Sequence, residues 1–200
     1  MDRAEIEPAG PPVGTRPYLR RAMAGFPRGD APLVRGAQAG SVAEFEALFR
    51  AHWPRAYRAA YLVVHDGAAA EDIAQEAFLA AIRSLHKFDR RRPFGPWLHR
   101  IVVNRSIDWA RARALRREPS AAPEAAARSV GGAESRLSDD VVAALAELPP
   151  EQRGVVVLRY LLDYTPGEIA RLLELPRGTV NSRLRRGLDA LAERLREERE

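Results

Sequence analysis

A stretch near the C-terminus, residues 164–187, carries the most restrictive pattern in this chain. Thr165 is well suited to cap a helix, because a proline follows at the tolerated first position and Glu168 completes a capping box. Residues 176–178, Pro-Arg-Gly, predict a turn, and Thr179 is expected to cap a second helix. A capped helix, a tight turn and a second helix together predict a helix-turn-helix, the geometry that places a helix in the major groove of DNA.

The second helix of this motif has two predicted faces. Apolar residues recur at helical spacing and are expected to face inward: Val180, Leu184, Leu188, Leu191 and Leu195. The opposite face presents Thr179, Ser182 and Arg186, with Arg183 and Arg185 on its flanks. A solvated surface helix would show the same two faces, but the capped first helix and the Pro-Gly turn favour DNA binding.

Composition restricts the class of protein. The 200 residues are 46% apolar, which suits one ordinary domain or two small ones. The net charge of +5 permits a polyanionic partner, and nearly all of the positive charge is arginine, which suits phosphate and guanine contacts. A GC-rich genome would give the same arginine bias. No run approaches the ~20 apolar residues of a membrane span, so we expect a cytoplasmic protein without membrane insertion.

The chain shows no pattern typical of a catalytic or metal site. Cysteine is absent, and the four histidines lack the spacing of metal ligands. The carboxylates Glu71, Asp72 and Glu76 are not accompanied by a phosphate loop or a nucleophile motif. We therefore expect no enzymatic activity, no catalytic residue, no metal and no cofactor.

Breaker-rich stretches divide the chain into parts. Residues 1–29 are rich in Pro and Gly and predict a disordered extension. Helical periodicity fills residues 30–117, whereas the acidic residues 118–138 have the composition of a linker. Residues 139–200 complete a second helical domain around the helix-turn-helix. The sequence thus predicts an all-α fold of two small helical domains joined by a flexible linker.

Two features of the first domain predict its contacts. Pro54 lies within an apolar-periodic helix and predicts a kink or a break. In the helix predicted over residues 68–85, Asp72 and Gln75 share a face with Leu79 and Ile82. Such a mixed face suggests a docking surface for a protein, but a helix buried on both sides would show the same pattern.

The segment from Arg83 to Arg117 is strongly basic, with eleven basic residues against two acidic ones. Its loop carries Phe88 and Phe94, and the following helix has a polar face of Arg100, Asn104, Asp108 and Arg111. Rings and guanidinium planes stack unpaired bases at ~1–3 kcal/mol each, and amides hydrogen-bond their edges. This pattern predicts a site for single-stranded nucleic acid, although Phe94, Trp97 and Trp109 are expected to belong to the core.

Four motifs follow one another in the chain: Asp72–Leu79, Phe94–Arg111, Leu148–Tyr160 and Gly178–Arg186. Together they resemble the bacterial RNA polymerase sigma factors of the extracytoplasmic-function (ECF) type, in the sigma-70 family. The resemblance covers about residues 30 to 197. It implies a subunit that binds core RNA polymerase and directs initiation at promoters through their −10 and −35 elements.

The resemblance also implies roles and partners. The partners are core RNA polymerase, promoter DNA as duplex and as melted single strand, and a potential anti-sigma factor. Polymerase contacts fall on Asp72, Gln75, Glu76 and Leu79. Contacts to the −10 element and its melted strand fall on Lys87, Phe88, Arg90, Arg91, Arg92, Arg100, Asn104, Asp108 and Arg111. Contacts to the −35 duplex fall on Arg177, Thr179, Asn181, Ser182, Arg183, Arg185 and Arg186.

The chain departs from the family pattern at two positions. Glu174 stands where a glycine usually ends the first helix of the helix-turn-helix, and Asn181 replaces a commonly basic residue. Two other functions compete with the sigma-factor interpretation. A stand-alone helix-turn-helix regulator leaves the basic aromatic loop without a role, and an RNA-binding adaptor leaves the C-terminal motif without one.

Overall fold

A computed structural model describes residues 29–116 and 137–197, and every regular element in these two ranges is helical. The predicted all-α fold is therefore confirmed. The predicted disordered extension and linker lie outside the described residues, apart from Gly29, Leu137 and Ser138. The first range contains α1 (Asp30–Gln38), α2 (Val42–Val64), α3 (Gly67–Ser84), a 3-10 turn (Leu85–Lys87) and α4 (Phe94–Arg116). The second contains α5 (Asp139–Glu147), α6 (Pro150–Tyr160), α7 (Pro166–Leu173) and α8 (Arg177–Glu197).

Helix α2 is the central element of the first group, and it runs without interruption through Pro54. Of the two outcomes expected at Pro54, the break is therefore wrong, whereas the kink stays a prediction. A proline inside a helix costs ~3 kcal/mol or more, because one backbone hydrogen bond is lost. Packing offsets this cost, since α2 lies against α1, α3 and α4 and fully buries Leu48, Ala56 and Val63.

A tight turn joins α2 to α3. His65 ends α2 in the left-handed conformation, with φ 53° and ψ 37°. Asp66 caps α3 by accepting a hydrogen bond of 2.9 Å from the Ala69 amide, and Arg113 of α4 lies 3.0 Å from its carboxylate. The turn is thereby fixed to α4.

The capping box of the helix-turn-helix is confirmed. The Thr165 hydroxyl accepts the Glu168 amide at 3.3 Å, and the Glu168 carboxylate accepts the Thr165 amide at 2.8 Å. These hydrogen bonds from Thr165 lower the pKa of Glu168. The predicted cap at Thr179 is wrong, because α8 already begins at Arg177 and places Thr179 inside its first turn.

The apolar stripe of α8 also differs from the predicted one. Val180 and Leu184 are buried, but Leu188 is 37% exposed. Gly187 is buried instead, and a Cβ atom there would lie only 3.1 Å from the Val156 side chain of α6. Because Gly187 lets α6 and α8 approach closely, the buried stripe passes through position 187 rather than 188.

The two groups of helices pack against each other. Helix α6 lies against both α2 and α4. Gly154 permits the contact with α4, because a Cβ at this position would lie 2.7 Å from Ile107 Cδ1. The adjacent Arg153 is buried and donates hydrogen bonds to the carbonyl oxygens of Val63 in α2 and of Ala146 and Leu148 in the second group. Burial lowers the pKa of Arg153 to about 10, so the guanidinium stays charged at neutral pH.

Within the described ranges, none of the helices combines the length and the apolar character that crossing a membrane demands.

Candidate polymerase and nucleic-acid interfaces

The outer face of α3 is exposed, which decides between the two interpretations of this helix. Ile73, Ala77 and Ala81 are buried on the inner face. Three polar residues and two apolar ones remain accessible on the outside: Asp72, Gln75, Glu76, Leu79 at 49% and Ile82 at 43% exposure. Exposed aliphatic side chains bordered by carboxylates form a surface suited to another protein. The alternative of a helix buried on both sides is wrong.

The basic loop that follows α3 is exposed but firmly attached. Lys87, Arg90, Arg91 and Arg92 are all accessible, and none of them forms an ion pair within residues 29–116 and 137–197. The loop is held from α1 by Gln38, whose side-chain amide donates to the carbonyl oxygens of Leu85 at 2.8 Å and Phe88 at 2.9 Å. Four free cationic side chains on a fixed loop form a strong attractor for phosphate.

Nothing in the sequence singles out Gln38 as a positioning residue. It is a polar residue at the end of a short helix, and its partners lie 47 and 50 positions away. Only the packing of α1 beside the 3-10 turn brings the amide to the loop.

Phe88, predicted to stack on a melted base, is not on the surface. The ring is 9% exposed and packs against Trp97, with centroids 4.6 Å apart, and edge-on against Phe94. This arrangement leaves its faces covered, so the placement contradicts a direct stacking role in this conformation. Phe94 is buried as expected, and Trp97 and Trp109 are partly buried against the core.

The polar face of α4 lies at the border between the two helical groups. Arg100 and Asn104 are half-buried, whereas Asp108 and Arg111 are exposed. Both arginines are paired with carboxylates of the second group: Arg100 with Glu174 at 2.6 Å and Arg111 with Glu151 at 2.5 Å. Burial raises the pKa of Glu151, but the hydrogen bond from Arg111, a backbone hydrogen bond and the charges of Arg111 and Arg183 together outweigh burial and lower the pKa. The fold thus brings the residues of the predicted single-strand site together, but Glu174 and Glu151 partly neutralise the positive charge of Arg100 and Arg111.

A buried hydrogen bond lies beside this face. His99 Nδ1 is 2.8 Å from the Tyr164 hydroxyl, and both side chains are buried. Burial, with smaller contributions from His52 and Arg55, lowers the pKa of His99 to about 3, so the imidazole is neutral at pH 7. Burial also raises the pKa of Tyr164. His99 and Tyr164 therefore form a neutral contact between α4 and the second group.

The basic face of α8 is open. Arg177, Asn181, Arg185 and Arg186 are exposed, and the remaining predicted contacts, Thr179, Ser182 and Arg183, are half-buried. None of the four arginines takes part in an ion pair within the described parts of the chain. The Ser182 hydroxyl donates to the Thr179 carbonyl at 3.0 Å, which places both on the first turns of the helix.

Glu174 keeps the turn conformation that a glycine would adopt. Its φ of 55° and ψ of 41° lie in the left-handed region, and its amide donates to the Ala170 carbonyl. For a residue with a Cβ this conformation costs roughly 1–2 kcal/mol. The departure therefore leaves the turn closed in the same way, but it adds a carboxylate that reaches Arg100.

Comparison with known families identifies the two helical groups. Residues 48–116 match the family model of sigma-70 region 2, and residues 138–191 match that of sigma-70 region 4. The first match contains α3, the basic loop and α4, and the second contains the helix-turn-helix. The two regions, in this order, define a sigma-70 factor.

Similarity to individual proteins places the chain in a narrower group of sigma-70 factors. The chain is 33% identical to the ECF RNA polymerase sigma factor SigW of Bacillus subtilis over 159 residues, which are 70% of this chain and 83% of SigW. It is 35% identical to the ECF sigma factor SigM of Mycobacterium tuberculosis over 189 residues, 91% of this chain and 92% of SigM. A solved structure of CnrH in complex with the cytosolic domain of CnrY is 29% identical, with a TM-score of 0.64 over 84% of this chain and 97% of CnrH.

The chain belongs to the ECF sigma factors of the sigma-70 family. It is a sigma factor that directs promoter-dependent initiation of transcription by RNA polymerase. The alternative of a stand-alone regulator is not favoured, because such a protein would not need a region 2.

Proposed function

We propose how the sigma-factor activity is divided among three surfaces of this chain. The outer face of α3 binds core RNA polymerase through Asp72, Gln75, Glu76 and Leu79. The basic loop and α4 bind the −10 element and its melted strand, and α8 binds the −35 duplex. The chain itself catalyses no reaction, requires no cofactor and acts in the cytoplasm. The observation that carries the proposal is the basic face of α8, whose four arginines form no ion pair within the described residues. This helix is the second of a helix-turn-helix whose first helix is capped.

The −10 surface combines phosphate attraction with base recognition. Lys87 and Arg90, Arg91 and Arg92 supply exposed charge on the loop. Asn104 lies between Arg100 and Arg111 on α4, and its amide can pair with an exposed base edge. Phe88 supports this surface from below by fixing the loop against Trp97. The distribution suits a strand that lies along the loop and across α4.

The −35 surface fits the major groove. Arginine pairs bidentately with guanine, and asparagine with adenine, when a helix presents them to base edges. Asn181, Arg185 and Arg186 are exposed for such contacts, and Arg177 at the helix start is placed to meet phosphate. Asn181 therefore favours base recognition over the phosphate contact that a basic residue would make.

Protein partners other than polymerase belong to the same proposal. The solved structure of CnrH contains the cytosolic domain of a second protein, CnrY. By this likeness, we include a regulatory partner of the anti-sigma type. Its binding would be measured as lost affinity for core polymerase when the partner is added.

The proposal predicts that the purified chain, reconstituted with core RNA polymerase, starts transcription at defined genomic sites. The transcripts would be sequenced from their 5′ ends, with core polymerase alone as the control. Start sites that share two upstream elements are expected. If no promoter-dependent transcripts form, the proposal is refuted. A palindrome bound by the free chain as a dimer would support the regulator instead.

Replacing Arg186 on α8 is expected to weaken recognition of the −35 element. Arg186→Ala should lower the affinity of the holoenzyme for duplex promoter DNA by ~1–3 kcal/mol and relax the base preference at one position. Fluorescence anisotropy with single-base variants of the duplex measures both effects. Arg196→Ala removes the same charge from the exposed end of the same helix and is the matched control. Equal losses in the two variants would show that Arg186 contributes only general charge.

A further inference from the structure

Helix α1 is attached to the rest of the fold at both of its ends. At its first residue, the buried Asp30 carboxylate lies 2.9 Å from Nε2 of the buried His52 in α2. At its last residue, the Gln38 amide donates to the carbonyl oxygens of Leu85 and Phe88. A helix of nine residues is marginal in water by itself, so its position depends on such contacts. The two attachments fix α1 between the core and the basic loop.

The two carbonyl groups that Gln38 binds lie at the start of the 3-10 turn and just after its end. The Phe88 amide donates to the Leu85 oxygen at 3.0 Å, and the Gln38 amide binds this oxygen and the Phe88 oxygen at once. A side-chain amide carries two hydrogens, which match these two acceptors. The backbone of residues 85–88 is therefore fixed by α1 at the point where the basic loop begins.

The loop continues from this fixed point into a defined turn. Asp89 Oδ1 accepts the Arg91 amide at 3.0 Å, and the Asp89 carbonyl accepts the Arg92 amide at 2.9 Å. The side chains of residues 89–92 are all exposed, so the position of the turn depends on the backbone from which it continues. A displacement of Phe88 would therefore move the arginines of the loop together.

We propose that α1 is the positioning helix of the −10 surface, and that Gln38 orients the arginines of the basic loop for the melted strand. Gln38 acts through the carbonyl groups of Leu85 and Phe88 and does not itself bind DNA. The inference rests on the proposed assignment of the basic loop to the melted strand. A loop that is ordered before binding loses less conformational freedom when DNA binds, so it binds more tightly than a mobile loop with the same charges.

A purely structural role of Gln38 predicts different results. Loss of the packing of α1 would lower the stability of the chain and weaken all of its binding activities together. A positioning role affects the melted strand alone, because the surfaces proposed for polymerase and for the −35 duplex lie on α3 and α8. An uncharged substitution at position 38 leaves the charge of the loop unchanged. The salt dependence of strand binding, which counts the phosphates contacted at once, therefore reports the arrangement of the loop.

The test uses holoenzyme formed with the full-length chain and a fluorescent single strand. The strand copies the non-template strand of a promoter found by sequencing transcript 5′ ends. Gln38→Met keeps a side chain of similar length but removes both donated hydrogen bonds, and we expect the Kd for the strand to rise about tenfold. The slope of log Kd against log salt concentration should become shallower by about 0.7, which corresponds to one phosphate contact on a single strand.

Gln152→Met is the matched control. Gln152 is half-buried on α6, and its side chain forms no hydrogen bond within the described residues. This control should bind the strand with the Kd and the salt slope of the wild type. Gln38→Asn is shorter by one methylene group and cannot reach both carbonyl groups, so its Kd should lie between those of the wild type and Gln38→Met.

The affinity of each variant for core polymerase, measured by native gel titration, completes the comparison. It should be the same for Gln38→Met, Gln38→Asn and the wild type. An unchanged Kd for the strand in Gln38→Met, or an equal rise in Gln152→Met, would overturn the proposal. A higher Kd with an unchanged salt slope, or with an equal loss of affinity for core polymerase, would show a purely structural role and overturn it as well.

A separate variant tests the assignment of the basic loop itself. Arg91→Ala with Arg92→Ala removes two charges from the loop but keeps the carbonyl groups that Gln38 binds, and it should raise the Kd for the strand at least tenfold. Wild-type affinity in this variant would refute the assignment, and with it the role of Gln38. A loss there, together with wild-type affinity in Gln38→Met, would leave the assignment standing and refute only the positioning role.

Discussion

Asp72→Arg is expected to abolish promoter-dependent transcription while leaving the fold and the DNA-binding helix intact. Asp72 is exposed on α3, beside a strip that includes Leu79, and it forms no ion pair within the described residues. Its replacement therefore breaks no ion pair within the described residues. At an interface, a reversed charge costs several kcal/mol when it meets a like charge or is buried without a partner. We expect the affinity for core polymerase to fall at least 100-fold.

Two measurements separate this effect from a general defect. Native gel titration with core polymerase gives the affinity, and run-off transcription gives the activity. Glu46→Arg, an equal charge reversal at an exposed position of α2, should retain both. Binding of the −35 duplex should be the same in the two variants. If Asp72→Arg binds polymerase as tightly as Glu46→Arg does, the outer face of α3 is not the polymerase surface.

Most local patterns in the sequence predicted local structure correctly, although the cap expected at Thr179 does not form. The Thr165–Glu168 capping box involves residues three positions apart, and its hydrogen bonds need nothing from the rest of the fold. The membership of the outer face of α3 was predictable as well, because helical spacing places Asp72 and Leu79 on one side whatever the helix packs against. The remaining choice, exposed or buried, depended on which neighbours cover the helix.

Predictions failed where a distant contact decides the outcome. Pro54 is tolerated because neighbouring helices support α2, and Leu188 is exposed because Gly187 lets α6 approach. Phe88 is buried because Trp97 lies beneath the basic loop, which sequence spacing alone does not show.

The contacts between the two helical groups were the least predictable. Arg100 and Glu174 are separated by 74 positions, and a linker by composition suggested two independent domains. The arginines of the polar face of α4 were expected to be available for DNA. In the structure, Arg100 and Arg111 instead form ion pairs with Glu174 and Glu151 of the same chain. The residue types therefore indicated the chemistry of the site, whereas its accessibility was a property of the tertiary structure.

Arg153→Met is expected to destabilise the folded chain by about 3 kcal/mol or more. The Arg153 guanidinium donates to the carbonyl oxygens of Val63, Ala146 and Leu148, which lie at the ends of α2 and α5. Carbonyl groups in the last turn of a helix lack an intrahelical partner, and a buried group left without one costs ~1–3 kcal/mol. Methionine fills similar volume but donates no hydrogen bond, so all three carbonyl groups lose this donor together.

The free energy of unfolding in urea, measured by circular dichroism, checks this expectation. Arg153→Lys keeps the charge, but one ammonium cannot reproduce the planar fork that reaches three acceptors, so an intermediate loss is expected. Arg159→Met on the same helix is the control, because Arg159 makes a single long hydrogen bond of 3.4 Å to Tyr164 and should cost under ~1 kcal/mol. Equal stability of the two methionine variants would refute the structural role of Arg153. A large loss confined to Arg153 would show that the buried cation, not the exposed ion pairs, stabilises the junction of the two regions.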